Sequence, residues 1–490
     1  MSHQRLSGNQ LGSIVVFSDD WGRHPSSCQH LVRNLLDRQP VLWVNTIGTR
    51  APRLDLQTLK RAGEKLQQWG SSVLSKRTNP DAADCQSAVQ THSNLTVINP
   101  RMWPWFGSDR DRRLNRWLLT KQLSPLIQRL PKPVVALTTL PITADLAGTL
   151  PVSRWVYYCV DDFSQWPGLD GDTLRRMDQD MIHRADSLIA ASETLQEMIA
   201  NDGRSSSLLT HGVDVDFWNT QRKLSARCDS ATRRPEGNRL QQIDTAKDET
   251  TKRFSLVVAD TSENTRPSVA MSELSLNPMP SDSSSREKPH PKCELLSDLP
   301  GPLIVFWGVI DRRMDSASIR QLSCDLIEGT IVLIGPQQDP DPALLSLSNV
   351  RTLSAQPLSA LPAIADRAEV LIMPYADLPV TRAMQPLKLK EYLATGKAVV
   401  VNRLPSTDPW CDCLDVAESP AEFSQLVRHR IYSGIPVSQS MARCRLQQES
   451  WKSKAERLEH ILKSETPSAS LLDGRPQVLT CAASAPLRCS

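Results

Sequence analysis

Short, near-continuously apolar runs alternate with segments of helical length along most of this chain, and that alternation constrains its fold more than any other feature. In the first part the runs are Ser13–Ser18 (SIVVFS), 40–46 (PVLWVNT), 94–99 (NLTVIN), 133–139 (PVVALTT), 154–160 (RWVYYCV) and 187–192 (SLIAAS). Being apolar at successive rather than alternate positions, they suit strands buried on both faces of a parallel sheet. The intervening segments 26–38, 109–130 and 172–185 have helical length and composition. Strands and helices in alternation predict a doubly wound α/β domain.

From residue 218 to 299 the pattern breaks down into Ser, Thr, Asp, Glu, Lys and Pro, and only 254–258 (FSLVV) has strand character. Such a segment buries too little apolar surface to offset chain entropy, so it is expected to be a largely disordered insert. The alternation then resumes. Strands are expected at 302–310 (PLIVFWGVI), 330–335, 349–353, 369–374 and 397–402, with helices at 316–327, 358–367 and 386–395. The residues 440–463 read as one long charged amphipathic helix whose apolar positions Leu446, Trp451, Leu458 and Leu462 need a surface on either domain. The expected organisation is therefore two Rossmann-like parallel-sheet domains facing each other across a cleft, at 1–217 and 300–466. The insert 218–299 separates them and a flexible tail, 467–490, follows.

Composition removes several function classes. With 490 residues, Lys+Arg 57 and Asp+Glu 54, the net charge of +3 gives no electrostatic argument for a nucleic-acid partner. The 11 cysteines form no paired CxxC knuckles, which argues against a disulfide scaffold or a zinc ribbon. The apolar run Ile14–Phe17 is four residues long and is followed by Asp19-Asp20, which fits neither a signal sequence nor a membrane span. A cytoplasmic protein is expected; a peripheral contact with the inner face of a membrane needs only a basic or apolar patch and stays open. No G-x-G-x-x-G follows the first strand, and Gly396-Lys397 is followed by Ala398, so neither the dinucleotide fingerprint nor the P-loop is present.

The segment 385–397 (QPLKLKEYLATGK) carries the most chemical information. Pro386 suits the first helical position and Gly396 the C′ position, so a short helix is expected between two strands. Its N-terminus opens at the carboxyl end of a parallel strand, where a diphosphate binds. Lys388 and Glu391, three apart, share one face, so a cation for phosphate and a carboxylate for a ribose diol point into one cleft. A solvated ion pair on an ordinary helix is the competing reading.

This segment resembles the donor-site signature of GT-B-fold glycosyltransferases of the group 1, or family 4, type. The resemblance is closest to the bacterial branch with teichuronic-acid-type and exopolysaccharide transferases. Further matches in order are 20–27 (DWGRHPSS), 158–162 (YCVDD), 211–214 (HGVD), 308–311 (GVID), 333–336 (LIGP) and 349–350 (NV). The resemblance implies a nucleotide-sugar bound by the second domain, with the nucleotide-sugar as a substrate and neither cofactor nor metal required. By it, Glu391 binds the ribose, and Lys388 with the backbone at Pro386 and Leu387 sits by the diphosphate. Arg312 or Arg313, after the Gly308 strand, neutralises the leaving phosphates, where charge builds as the bond breaks. It also implies a glycan or lipid-linked acceptor entering from the first domain, near Trp21, Gly22 and His24 and the loop after Asp162. Transfer would retain anomeric configuration, in cell-envelope or exopolysaccharide synthesis. The family often carries a glutamate eight residues before the ribose one; here that position is Ala383, and Thr381 or Asp377 in the same loop is a candidate replacement. The departure motivates a second reading, a catalytically idle scaffold that binds nucleotide-sugar or glycan, and a weaker third, an epimerase.

Other candidates keep two readings each. Asp161 and Asp162 bind acceptor or act as a base, or cap the next loop. His211 approaches the donor, or is a turn residue before the hinge. His24 contacts acceptor, or serves the turn chemistry of Gly22 and Pro25. Trp103 and Trp105 line a sugar or lipid surface, or pack in the core.

Overall fold

The computed structural model describes residues 11–22, 26–46, 92–218 and 296–464. His24, the strand expected at 254–258, nearly all of the insert and the tail lie outside the described residues. In the first domain β1 (Ser13–Ser18), β2 (Val41–Asn45), β3 (Leu95–Ile98), β4 (Val134–Thr138), β5 (Arg154–Cys159), β6 (Ser187–Ala190) and β7 (Ser207–Leu208) form one sheet in the order β3-β2-β1-β4-β5-β6-β7. Every pairing is parallel, with Val16 of β1 opposite Trp43 and Leu137. All six residues of β1 and all five of β4 are buried, as their unbroken apolar character requires. Helices Ser27–Arg33, Asp109–Gln128, Gly171–Arg184 and Glu193–Asn201 accompany this sheet.

The second domain repeats the design. Its strands are β8 (Leu303–Trp307), β9 (Ile310–Asp311), β10 (Thr330–Ile334), β11 (Gln337–Gln338), β12 (Val350–Leu353), β13 (Val370–Met373), β14 (Ala398–Asn402) and β15 (Asp415–Ala417). Six of them run parallel in the order β12-β10-β8-β13-β14-β15, while β9 and β11 pair apart. The expected single strand 302–310 is thus two. The break falls at Gly308, whose φ is +157, and it faces Gly335 at φ +150. A Cβ on Gly335 would stand 1.8 Å from the Gly308 carbonyl oxygen, so the chains can pass only with glycine at 335, while a Cβ on Gly308 would meet the Phe306 ring at 2.8 Å. In each sheet the strand order reverses once, between β1 and β4 and between β8 and β13, which opens a crevice at the strands' carboxyl ends.

The helix expected over 440–463 is three pieces, Val437–Ala442, a 3-10 stretch Arg443–Glu449 and Trp451–Lys463. Its apolar stripe serves two cores: Leu446 belongs to the second domain, whereas Trp451, Leu458 and Leu462 belong to the first. The chain must cross between domains, and Ser450 makes the break in extended backbone (φ −66, ψ 148), its hydroxyl capping the last helix at Ser453 N–H. That helix is anchored by Arg154, which donates 2.7 Å hydrogen bonds to the carbonyls of Ile461 and Leu462, and by Glu459 at 2.6 Å from Arg38. In the opposite direction Val213, Val215 and Trp218 pack into the second core.

Gly335→Ala should lower the urea midpoint by an amount worth on the order of 3 kcal/mol, because backbone must move away from backbone. Gly203→Ala, at φ +76 with open space around its Cβ position, should cost only about 1 kcal/mol. Equal losses would show that the Gly308–Gly335 approach places no special demand on the fold.

Candidate functional site at the domain junction

The helix Leu387–Ala394 follows β13 and opens toward the crevice at the end of β8. Pro386 is its N-cap (φ −66, ψ 118) rather than its first residue, and having no N–H it leaves those of Leu387 and Lys388 as the first available donors. Thr395 is the C-cap, and Gly396 follows at φ +77, the left-handed C′ residue that ends many helices. Leu389, Tyr392 and Leu393 enter the second core, while Leu387 packs against the first.

Lys388 Nζ and Glu391 Oε2 are 3.8 Å apart with side chains 27% and 17% exposed, so the pair is partly sheltered rather than fully solvated. Glu391 also accepts a 3.3 Å hydrogen bond from Trp307 Nε1. Trp307 is in turn fixed by Tyr392, whose hydroxyl accepts from Trp307 N–H at 2.9 Å and donates to Trp307 C=O at 3.1 Å. Trp218, arriving from the first domain, stacks on Trp307 with ring centroids 6.0 Å apart.

Of the two adjacent arginines, Arg313 is the one between the domains. It is buried, its Nε donates to both Asp311 oxygens at 3.0 Å, and its guanidinium lies 4.4 Å from the Trp166 ring of the first domain. Arg312 instead turns outward, about half exposed, to pair with Asp339 at 3.3 Å. Opposite Arg313, burial pushes Asp161 up to about 7, with Asp162 raising it further and Arg313 opposing. Asp162 caps the Phe163–Gln165 turn, accepting from Ser164 N–H at 3.0 Å and Ser164 Oγ at 2.6 Å. Asp178, which no sequence signal marked, accepts from the buried Tyr157 hydroxyl and is also raised to about 7, mainly by burial.

The segment before the helix, expected as a loop, is itself a short helix, Pro379–Ala383, and is internally engaged. Thr381 Oγ1 donates to Leu378 C=O and accepts from Leu378 N–H, both at 2.9 Å, and Asp377 is paired bidentately with Arg382. Ala383 packs into the first core, and its carbonyl accepts from Ser192 Oγ at 2.6 Å. The position where the family often has a glutamate is here a contact between domains.

On the first-domain side, Trp21 meets Trp43 edge-on at 4.7 Å and its N–H donates to Asn45 Oδ1 at 3.0 Å. Gly22 turns the chain at φ +79, donating to Gln29 Oε1 at 2.9 Å. His211 is buried with Nδ1 2.7 Å from Ser27 Oγ, and its carbonyl accepts from Lys390 Nζ. Lys390 is itself buried, ion-paired to Glu449, while Lys454 reaches Glu449 at 2.8 Å and Thr210 Oγ1 at 2.9 Å. This junction joins the Leu387–Ala394 helix, the 210–213 connection and the returning C-terminal segment. Sequence reasoning missed it, because Lys390 and Glu449 are 59 residues apart. Among the described residues no group of three His, Cys, Asp or Glu side chains is placed to hold a metal ion.

Burial, with Lys390 and Lys454 adding to it, depresses His211 to about 3 from its ordinary 6.5. The unfolded chain therefore binds more protons between those values, so stability present above pH 6.5 is lost as pH falls toward 3, at roughly 1.4 kcal/mol per pH unit for this one group. His211→Gln should flatten the slope of unfolding free energy against pH between about 4 and 6.5. An unchanged slope would mean that His211 is not the buried neutral group described.

No protein-family sequence model matches the chain. A Bacillus subtilis (strain 168) protein that carries the name of a teichuronic acid biosynthesis glycosyltransferase, TuaH, is 32% identical over 127 residues, which are 25% of this chain. The match spans about a third of that relative's length. Among solved structures, HepE of Anabaena in complex with UDP superposes with a TM-score of 0.53 at 11% identity, covering 92% of this chain and 99% of that one. Sucrose-phosphate synthase from Thermosynechococcus elongatus gives 0.56 at 11% identity, covering 92% and 98%. An E. coli trehalose-6-phosphate protein bound with UDP-2-fluoro glucose gives 0.55 at 11% identity, covering 93% and 100%. The chain has the GT-B fold, two parallel-sheet α/β domains facing each other across a cleft.

Proposed function

We propose that this protein is a glycosyltransferase that moves a sugar from a nucleotide-sugar donor to a glycan or lipid-linked acceptor in cell-envelope or exopolysaccharide synthesis. The observation that supports this reading is the partly sheltered Lys388–Glu391 pair, with Glu391 bonded to Trp307 at the end of β8, in a GT-B fold whose Arg313 is buried against Trp166 of the first domain. Glu391, held by Trp307, receives the ribose hydroxyls. Lys388 and the N–H groups of Leu387 and Lys388 receive the diphosphate, aided by the positive end of the helix. Arg313 lies deepest and stabilises the charge that grows on the departing nucleotide, with Arg312 at the rim. The acceptor hydroxyl enters from the side of Trp21, Gly22 and Asp161 and attacks on the face that the nucleotide leaves, so configuration is retained without a metal. HepE and the E. coli protein are seen with UDP and a UDP-sugar, which supports a uridine nucleotide as the donor's handle.

One observation favours a second reading. Ala383 is built into the first-domain core, so the donor hexose lacks the acidic contact that the family often supplies there. An idle scaffold that binds nucleotide-sugar without transferring it has this property.

Thermal shift against UDP, GDP, ADP and their sugars tests the site. One nucleotide series should stabilise the protein, by about 2.7 kcal/mol at a hundredfold excess over Kd. Glu391→Ala and Arg313→Ala should each weaken binding roughly tenfold to a hundredfold, the scale of a lost charge-assisted hydrogen bond, whereas Arg312→Ala should change it little. Stabilisation by none of the three series, or an unaltered shift in both site variants, contradicts the assignment.

A further inference from the structure

The first domain exposes three tryptophans on and just before the helix Asp109–Gln128. Trp103 is 39% exposed, Trp105 38% and Trp117 57%, with Leu114 at 39% beside them. These are not mobile rings: Asn115, buried in the helix Asp109–Gln128, donates to the carbonyls of Trp103 and Trp105 at 3.0 and 2.9 Å, and Trp103 Nε1 donates to Asp111 at 2.8 Å. The same helix exposes Arg110, Arg113, Arg116 and Lys121 to solvent, Arg110, Arg113 and Lys121 on the face of Trp117 and Lys121 lying 5.1 Å from its ring. Inward-facing Arg112 is satisfied by Asp145 and Asp180, but among the described residues no carboxylate pairs with those four outward cations. The acids of the same turn are Asp109, which is exposed, and Asp111, which is taken up by Trp103 and Ser108.

We propose that this tryptophan and arginine face is a docking surface for an anionic lipid membrane. Indole rings favour the headgroup level of a bilayer, where an apolar body and a polar N–H are both accommodated, and basic residues around them are attracted to acidic lipids. A glycan platform fits less well, since Trp103 and Trp105 are tilted 51° to each other and offer no common plane for a sugar ring. No helix among the described residues is long and apolar enough to cross a membrane, so the contact is a surface one. The patch also borders the cleft. Phe106, next to Trp105, is buried with Leu174 and Met177 beneath Phe163 and Leu169, and the loop between those last two carries Trp166 onto Arg313. The docking surface deepens the transferase reading, since a membrane-seated enzyme meets a lipid-linked acceptor at this edge. Vesicle binding needs no turnover, so its failure and a failure of sugar transfer are separate results.

The test is flotation of the full chain with vesicles of phosphatidylcholine alone and of phosphatidylcholine with phosphatidylglycerol. The wild-type protein should float with the anionic vesicles and release in high salt. At about fivefold per basic residue, the triple change Arg110→Gln, Arg113→Gln, Arg116→Gln should weaken binding at least tenfold. Trp105→Ser with Trp117→Ser should weaken it too, and both variants should keep the wild-type melting temperature. The arginine variant alters only exposed side chains, so the proposal remains testable even if the tryptophan variant folds poorly. Absence of wild-type binding to anionic vesicles overturns the proposal, as does binding by the arginine variant equal to wild type. Retention on immobilised glycan without vesicle binding would assign the face to sugar instead and overturn it as well.

Discussion

Lys390 places an ammonium where two domains and a returning C-terminal segment meet, and a buried charge without partners would cost several kcal/mol. Its partners come from every side: Thr210 Oγ1 and the His211 carbonyl from the end of the first domain, and the Glu449 carboxylate from the segment that crosses back. Desolvation drags the lysine down to about 8, while Lys390 and Lys454 together hold Glu449 at about 2 against its own burial. Both groups therefore stay charged near neutrality. Removing Glu449 would leave Lys390 and Lys454 without their shared carboxylate, whereas removing Lys390 would leave Glu449 with Lys454 alone, at 2.8 Å. Because Lys390 lies on the Leu387–Ala394 helix, the junction also sets how the helix is presented to the cleft.

The neighbouring residues of that helix are the ones proposed to hold the donor. Lys388 and Glu391 face the crevice while Leu389, Tyr392 and Leu393 anchor the helix in the second core, so one turn divides its residues between packing, junction and site. Arg313 sits across from it under a different constraint. Without substrate it is neutralised by Asp311 and covered by Trp166, with Asp161 facing it. In the proposed function a diphosphate would compete with these groups for the guanidinium, and the contact with Trp166 would couple that competition to the relative position of the domains. Cleft closure and charge stabilisation would thereby be linked through one side chain.

Much of this architecture was legible in the sequence, because strands buried on both faces must be continuously apolar and eleven of the fifteen strands among the described residues coincide with the expected runs. The exceptions are short: β7, β9 and β11 have two residues each and β15 three, too few to form a run. The crossing of the last helix was legible only as an unplaced apolar stripe, since the same Leu and Trp spacing covers one core or two. Gly308 could be marked as special, but its partner Gly335 lies on another strand and only the fold brings them together. In the site, Lys388 and Glu391 could be paired from their spacing of three. Choosing between Arg312 and Arg313 could not, because both lie in the turn that Met314 N–H closes onto the Asp311 carbonyl, and only the fold decides which one turns inward. The junction of Lys390, Glu449, Lys454 and Thr210 was hidden for the same reason as Gly335, its members being brought together by tertiary structure alone.

In the proposed reaction the cleft breaks the bond between sugar and diphosphate rather than merely holding it. The most direct measurement is the fate of the sugar: purified protein incubated with the nucleotide-sugar that binds, with and without a membrane extract as acceptor source, followed by separation of labelled products. The account predicts nucleotide release with the sugar moved intact to acceptor, and slowly to water when acceptor is absent. Stable binding with the donor recovered unchanged under both conditions would contradict it and leave a nucleotide-sugar-binding scaffold in its place.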